Sequence, residues 1–125
     1  MKVYCFGNEF LKEDSLAKEI ADSIKIEGVK FIKCNSPEDI FESEQERIII
    51  LDVVEDIEKV ILIEDLEQLK DNKIISLHDF DLSFFLKLMK EMGKIKKVQI
   101  IGIPMKGNKE NMRGEIRKII SKITF

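Results

Sequence analysis

The chain has 125 residues, of which 44% are hydrophobic and 36% are charged. This length and composition indicate a single soluble domain with one core and argue against a disordered chain. The net charge of −3 comes from 24 acidic and 21 basic residues interleaved along the chain, which argues against the basic surface that nucleic acid binding requires. We therefore expect one domain over residues 1–125 and no nucleic acid partner.

The apolar runs of the sequence are short. Ile48–Leu51 and Val60–Ile63 are among the longest, and both fall far below the roughly 18 residues of a membrane-spanning helix. The N-terminus leads directly into a strand pattern and lacks the features of a signal peptide. We expect a cytoplasmic monomer with no membrane partner. Cys5 and Cys34 each lie in an apolar strand-like run, so we expect buried, reduced thiols.

The first predicted elements are a strand, a helix and a second strand. The strand over Val3–Phe6 ends at the turn-forming pair Gly7–Asn8. Apolar residues spaced three and four apart predict a helix over Asp14–Ile26, which Gly28 closes in a left-handed conformation. The alternating segment Val29–Cys34 predicts the second strand.

The middle of the chain contains the most apolar strand. Ser36–Ser43 has the start signals of a short helix, with a capping side chain followed by proline. Ile48–Leu51 is aliphatic at every position, which is typical of a central strand covered on both faces, and we expect it to end at Asp52. Val60–Ile63 predicts a further strand.

The last third of the chain continues the alternation of predicted strands and helices. The apolar run Ile74–Leu77 stops at His78, and the long helix that follows is predicted to end at Gly93. Val98–Ile103 predicts the last strand, and a final helix contains the segment Ile116–Ile123. The complete pattern predicts a single three-layer α/β/α domain with a mostly parallel twisted sheet of about five strands.

Three polar residues occupy comparable positions in this pattern. Asp14 lies in the loop after the first strand, Asp52 follows the central strand, and His78, the only histidine, precedes the long helix. Ligands of open α/β sheets bind outside the carboxyl ends of the strands, so these side chains are candidates for one site. Carboxylates and an imidazole suit a divalent transition metal such as nickel or zinc. Taken singly, each residue also fits a cap, a turn or a loop.

Four segments, in this order, resemble the hydrogenase maturation proteases, endopeptidases that remove the C-terminal extension of the large subunit of nickel–iron hydrogenases. The segments are FGNEFLKED at Phe6–Asp14, IIILDVV at Ile48–Val54, SLHDFDLSFFL from Ser76, and IIGIP at Ile100–Pro104. The order and spacing of the four pieces carry the resemblance, which spans nearly the whole chain.

The resemblance implies that Asp14, Asp52 and His78 bind nickel that the substrate supplies, with another divalent metal able to replace it in vitro. It implies that the partner is a hydrogenase large-subunit precursor. It also implies an aspartyl-type protease, in which Asp14 or Asp52 acts on the water and the leaving amine. Gly7 and Asn8 are the residues implied in substrate binding.

The chain departs from the family pattern after the acidic pair, where Ser15 and Ala17 replace the usual glycines. This departure keeps open a noncatalytic nickel-recognition or chaperone protein of the same fold. A further alternative is a receiver-like domain, with Asp52 as phosphoacceptor and Asp14 as magnesium ligand. A receiver, however, has paired acids immediately after the first strand, whereas here they come later.

Overall fold

The computed structural model describes residues 1–6, 16–34, 47–54, 57–64, 91, 93 and 97–123. Five strands and two helices lie wholly within these residues. In chain order they are β1 (Lys2–Phe6), α1 (Leu16–Ser23), β2 (Lys30–Cys34), β3 (Arg47–Val54), β4 (Ile61–Ile63), β5 (Lys97–Pro104) and α2 (Lys109–Ile123).

The strands form one sheet in the order β2-β1-β3-β5-β4, with β3 in the centre. Strands β1, β2, β3 and β5 are parallel, and the edge strand β4 runs antiparallel to β5. The predicted mostly parallel five-stranded α/β domain is therefore confirmed. Because β2 and β3 flank β1 on opposite sides, the direction of strand addition reverses between β1 and β3. Such a reversal opens a crevice at the carboxyl ends of these two strands.

Alternation along the strands divides the buried side chains between the two faces of the sheet. On one face, which we call the helix face, α1 and α2 pack over residues that include Val3, Cys5, Leu51 and Ile101. The second cluster defines what we call the opposite face: Tyr4, Phe6, Cys34, Ile48, Ile50, Ile63, Val98 and Ile100. Both faces are buried, which explains why β3 is almost entirely aliphatic.

Polar contacts connect the two helices to each other and α2 to the segment before β4. The Lys109 ammonium lies 2.8 Å from the Glu19 carboxylate, across the gap between α2 and α1. Glu115 of α2 accepts a hydrogen bond of 3.1 Å from the backbone N–H of Val60. Helix α2 is capped by Asn108, whose side chain accepts a hydrogen bond of 3.1 Å from the Asn111 N–H.

Helix α1 is shorter than predicted at its carboxyl end. It ends at Ser23, whose hydroxyl donates to the Ile20 carbonyl at 3.2 Å. The predicted continuation to Ile26 is wrong, because the Ile26 carbonyl instead accepts the Val29 N–H at 3.1 Å in a turn. Gly28 is left-handed, with φ 79°, but it serves that turn and is not the helix cap.

Other expectations are confirmed where the described residues test them. Cys5 and Cys34 are buried thiols that form no disulfide, and they lie on opposite faces of the sheet. Glu91 is helical and Gly93 has φ 76°, as predicted for a helix end. The predicted elements over residues 36–43 and 74–77 lie outside the described residues. Within the described part of the chain, no helix has the length and apolar character needed to cross a membrane.

Candidate functional site

Asp52 lies within β3 and not at its end, which corrects the predicted boundary. The strand continues to Val54, and its ladder with β5 pairs Asp52 with Gly102 and Val53 with Ile103. Val53 and Val54 are β-branched and prolong the strand once the neighbouring strand offers a partner. The backbone of Asp52 is therefore held by the sheet itself, close to the carboxyl end of the central strand.

The Asp52 side chain is buried, with 1% of its surface exposed. Its position two residues after Ile50 places it on the opposite face of the sheet. One carboxylate oxygen, Oδ1, accepts a hydrogen bond of 2.9 Å from the Val53 N–H. Burying a carboxylate is costly unless it is hydrogen-bonded or paired, and a position that keeps one in a sheet core is a candidate for chemistry.

Gly102 is the β5 neighbour of Asp52, so no side chain projects beside the carboxylate from that strand. A Cβ at this position would lie 2.8 Å from Val54 Cγ2 and 3.3 Å from Ile61 Cγ1. The glycine thus lets β4 and the end of β3 pack closely around the strand segment that holds Asp52. The sequence showed this glycine in the IIGIP segment but gave no reason for it, because the reason lies in the strand register.

The other predicted site residues, Gly7, Asn8, Asp14 and His78, lie outside the described residues. The described residues contain no group of three or more histidine, cysteine, aspartate or glutamate side chains that could hold a metal ion. Asp52 is therefore the one predicted site residue whose surroundings are defined. It lies beside the β1–β3 reversal, where a ligand of this sheet topology is expected.

Three further residues with buried polar groups were not predicted as site residues: Tyr4, Lys18 and Gln99. The Tyr4 hydroxyl is buried and has no hydrogen-bond partner among the described residues. Gln99 accepts a hydrogen bond of 2.7 Å from the Arg47 guanidinium, which also donates to the Ile123 carbonyl at the end of α2. The Gln99 interaction ties β5 and α2 to the amino end of β3, so we assign it to the fold.

A surface groove of about 450 Å³ lies between the end of α1 and the start of β2, lined in part by Ile26 and Phe31. It adjoins the amino end of β2, whereas Asp52 lies near the carboxyl end of β3. Because β2, β1 and β3 run in the same direction, the groove and Asp52 lie toward different ends of the sheet. The groove is therefore not part of the candidate site.

Residues 37–124 match the family model of the hydrogenase maturation proteases. The match includes Asp52, His78 and Gly102, and it leaves out the segment with Gly7, Asn8 and Asp14. Comparison with curated protein sequences gives no significant match.

Solved structures of similar fold cover nearly the whole chain. The [NiFe] hydrogenase maturation protease HybD from Thermococcus kodakarensis has 20% identity and a TM-score of 0.73, and 100% of each chain is covered. The endopeptidase HycI from Escherichia coli has 17% identity and a TM-score of 0.69, with 100% of this chain and 92% of that one covered. The hydrogenase 2 maturation peptidase from Thaumarchaeota archaeon SCGC_AB-539-E09 has 18% identity and a TM-score of 0.59, over 98% and 97% of the two chains. At these identities the likeness shows the fold.

Proposed function

The chain belongs to the hydrogenase maturation protease family, which is a family of peptidases, and we propose that it removes the C-terminal extension of a nickel–iron hydrogenase large-subunit precursor. The cut follows metal insertion, and the protein recognises the nickel that the precursor carries. It acts as a cytoplasmic monomer. Membership of the family excludes the receiver-like alternative.

The buried carboxylate of Asp52 is the observation that supports this proposal most directly. It lies near the carboxyl end of the central strand, beside the reversal between β1 and β3, in a sheet core that is otherwise aliphatic along the same strand. A carboxylate on a rigid strand is preorganised, which suits recognition of a metal ion that arrives with the substrate. Asp14 and His78 complete the proposed ligand set.

In the proposed mechanism nickel is part of the substrate. Asp14, Asp52 and His78 bind the nickel that the immature subunit already holds, and this contact checks that metal insertion is complete. The same contact places the C-terminal peptide bond next to the carboxylates, so the reacting groups are already in position when cleavage begins. Asp14 or Asp52 then accepts a proton from the attacking water and returns one to the leaving amine, while Gly7 and Asn8 contact the substrate.

Incubation of the purified protein with nickel-loaded and with metal-free precursor tests the proposal. Mass spectrometry should detect loss of the C-terminal extension from the nickel-loaded precursor alone. Asp52→Asn should slow this cleavage by about 100-fold or more, because the variant keeps the shape of the side chain and loses its charge and basicity. Asp22→Asn is the matched control, since Asp22 is exposed on α1 and pairs with Lys33 at 3.0 Å. We expect the control to cleave at the wild-type rate.

The noncatalytic alternative predicts a different outcome of the same experiment. A stable, nickel-dependent complex with no mass loss over many hours would contradict the protease and favour a recognition protein. The replacement of glycines by Ser15 and Ala17 motivates this alternative. Equal cleavage of nickel-loaded and metal-free precursor would instead overturn the metal-recognition step.

A further inference from the structure

Tyr4 carries a hydroxyl into the core of the opposite face. Its side chain is 2% exposed and belongs to the same cluster as Ile48 and Ile50. The hydroxyl oxygen is buried and has no hydrogen-bond partner among the described residues. A buried hydroxyl without a partner destabilises a fold, and phenylalanine would fill the same space at no such cost. The hydroxyl therefore needs an explanation other than packing.

The strand register places Tyr4 and Asp52 as diagonal neighbours on the same face of the sheet. Tyr4 of β1 is paired with Ile50 of β3, and Asp52 follows two residues later on the same face. Strand spacing and rise put the Cα atoms of Tyr4 and Asp52 about 8 Å apart, a diagonal that long aromatic side chains can span. The described residues of this face thus contain two buried oxygen-bearing side chains, and they are diagonal neighbours.

Carboxylates that bind a metal are themselves usually held by outer hydrogen bonds, which set their orientation. We propose that Tyr4 is a positioning residue for Asp52, whose carboxylate receives a hydrogen bond from the Tyr4 hydroxyl when it engages a divalent metal carried by the substrate. This inference rests on the proposed function. It adds a residue of the sheet core to the recognition of the metal, and it gives the Tyr4 hydroxyl a partner in the bound state.

Tyr4→Phe separates this role from a structural one. The variant removes one oxygen from a position where it has no described partner, so its Tm should equal or exceed that of the wild type. At the same time the KM for nickel-loaded precursor should rise about 10-fold or more, with a smaller change in kcat. Titration with Cd²⁺ in the absence of precursor should raise the Tm of the wild type more than that of the variant.

Ile32→Val is the matched control, because Ile32 pairs with Tyr4 from β2 and packs against the same cluster without a polar group. This control should lower the Tm slightly and leave the KM and the Cd²⁺ response unchanged. Wild-type KM and Cd²⁺ response in Tyr4→Phe would overturn the inference. So would a Tm of Tyr4→Phe below that of the wild type with an unchanged KM, which would assign the hydroxyl to the fold.

The two readouts also separate this inference from the proposed function. If the wild type does not cleave the precursor but responds to Cd²⁺, the protease proposal fails and the Cd²⁺ response of Tyr4→Phe still decides the role of Tyr4. If the wild type cleaves without a measurable Cd²⁺ response, the KM decides. If it does neither, both proposals fail.

Discussion

Asp52 combines two properties that separate variants can measure. As a shape, it fills a buried position of β3 and accepts the Val53 N–H at 2.9 Å. As a charge, it is the group on which the proposed function depends. A substitution that keeps the shape should leave the fold intact and greatly slow the cleavage, whereas truncation should damage both. Variants of Asp52 can therefore separate the contribution of its volume and hydrogen bond to stability from the contribution of its charge to cleavage.

We expect Asp52→Asn to unfold in urea within about 1 kcal/mol of the wild type, because the amide oxygen can still accept the Val53 N–H. Asp52→Ala should lose about 1–3 kcal/mol, since it leaves a cavity and removes that acceptor. The difference between the two free energies of unfolding is the quantity to measure. Equal stability of the two variants would mean that the hydrogen bond and the buried volume contribute little.

Strand β5 and helix α2 each contain a glycine, Gly102 and Gly114, and the same substitution at the two positions tests the two elements. A Cβ at Gly102 would lie 2.8 Å from Val54 Cγ2, whereas a Cβ at Gly114 would meet nothing within 4 Å. Gly102→Ala should therefore cost about 1–3 kcal/mol through overpacking beside Asp52. Gly114→Ala should stabilise the protein by about 0.5–1 kcal/mol, because alanine favours the helix.

Chemical denaturation of both glycine variants tests this contrast. The added methyl group should lower the denaturation midpoint in Gly102→Ala and raise it in Gly114→Ala. A destabilised Gly114→Ala would show that α2 needs a glycine for a contact that the described residues do not contain. A fully stable Gly102→Ala would mean that Val54 moves aside easily, and the close packing of β4 would then have no role in holding the strand segment at Asp52.

The strands were predictable because aliphatic runs with both faces buried leave few alternatives. The unbroken run at Ile48–Leu51 predicted the central strand, and β3 contains it. The end of α1 was not predictable in the same way, since Ile24 continues the helical spacing and is buried although the helix ends at Ser23. Apolar spacing reports which side chains are buried. It does not report whether the backbone that carries them is still helical.

At the scale of the whole molecule, the order of the motifs identified the family, and strand register supplied what the order could not. The sequence predicted Asp52 as a site residue, although it placed the residue one step beyond the strand. It gave no sign that Gly102 lies beside Asp52 or that Tyr4 shares its face, because both relations depend on how β1, β3 and β5 are aligned. Register is a property of pairs of strands, and a single sequence shows each strand alone.

Cys5 offers a test of the core as a whole. Its side chain is fully buried on the helix face, and burial, followed by the nearby Cys34, raises the pKa of its thiol well above the usual range. In the unfolded chain a thiol loses its proton from about pH 8.5. The folded state therefore binds one more proton than the unfolded state above that pH. The stability linked to this proton is fully present below about pH 8.5 and is lost as the pH rises.

We expect the free energy of unfolding to fall by up to about 1.4 kcal/mol per pH unit from this thiol as the pH rises from 8.5 toward 10. Urea denaturation at a series of pH values measures the slope. Cys5→Ala is less stable at every pH because it leaves a cavity, but it should show a correspondingly flatter slope in this range. An identical slope in the variant would mean that Cys5 ionises as readily in the folded protein as in the unfolded chain, and hence that water reaches the sheet core between β1 and α1.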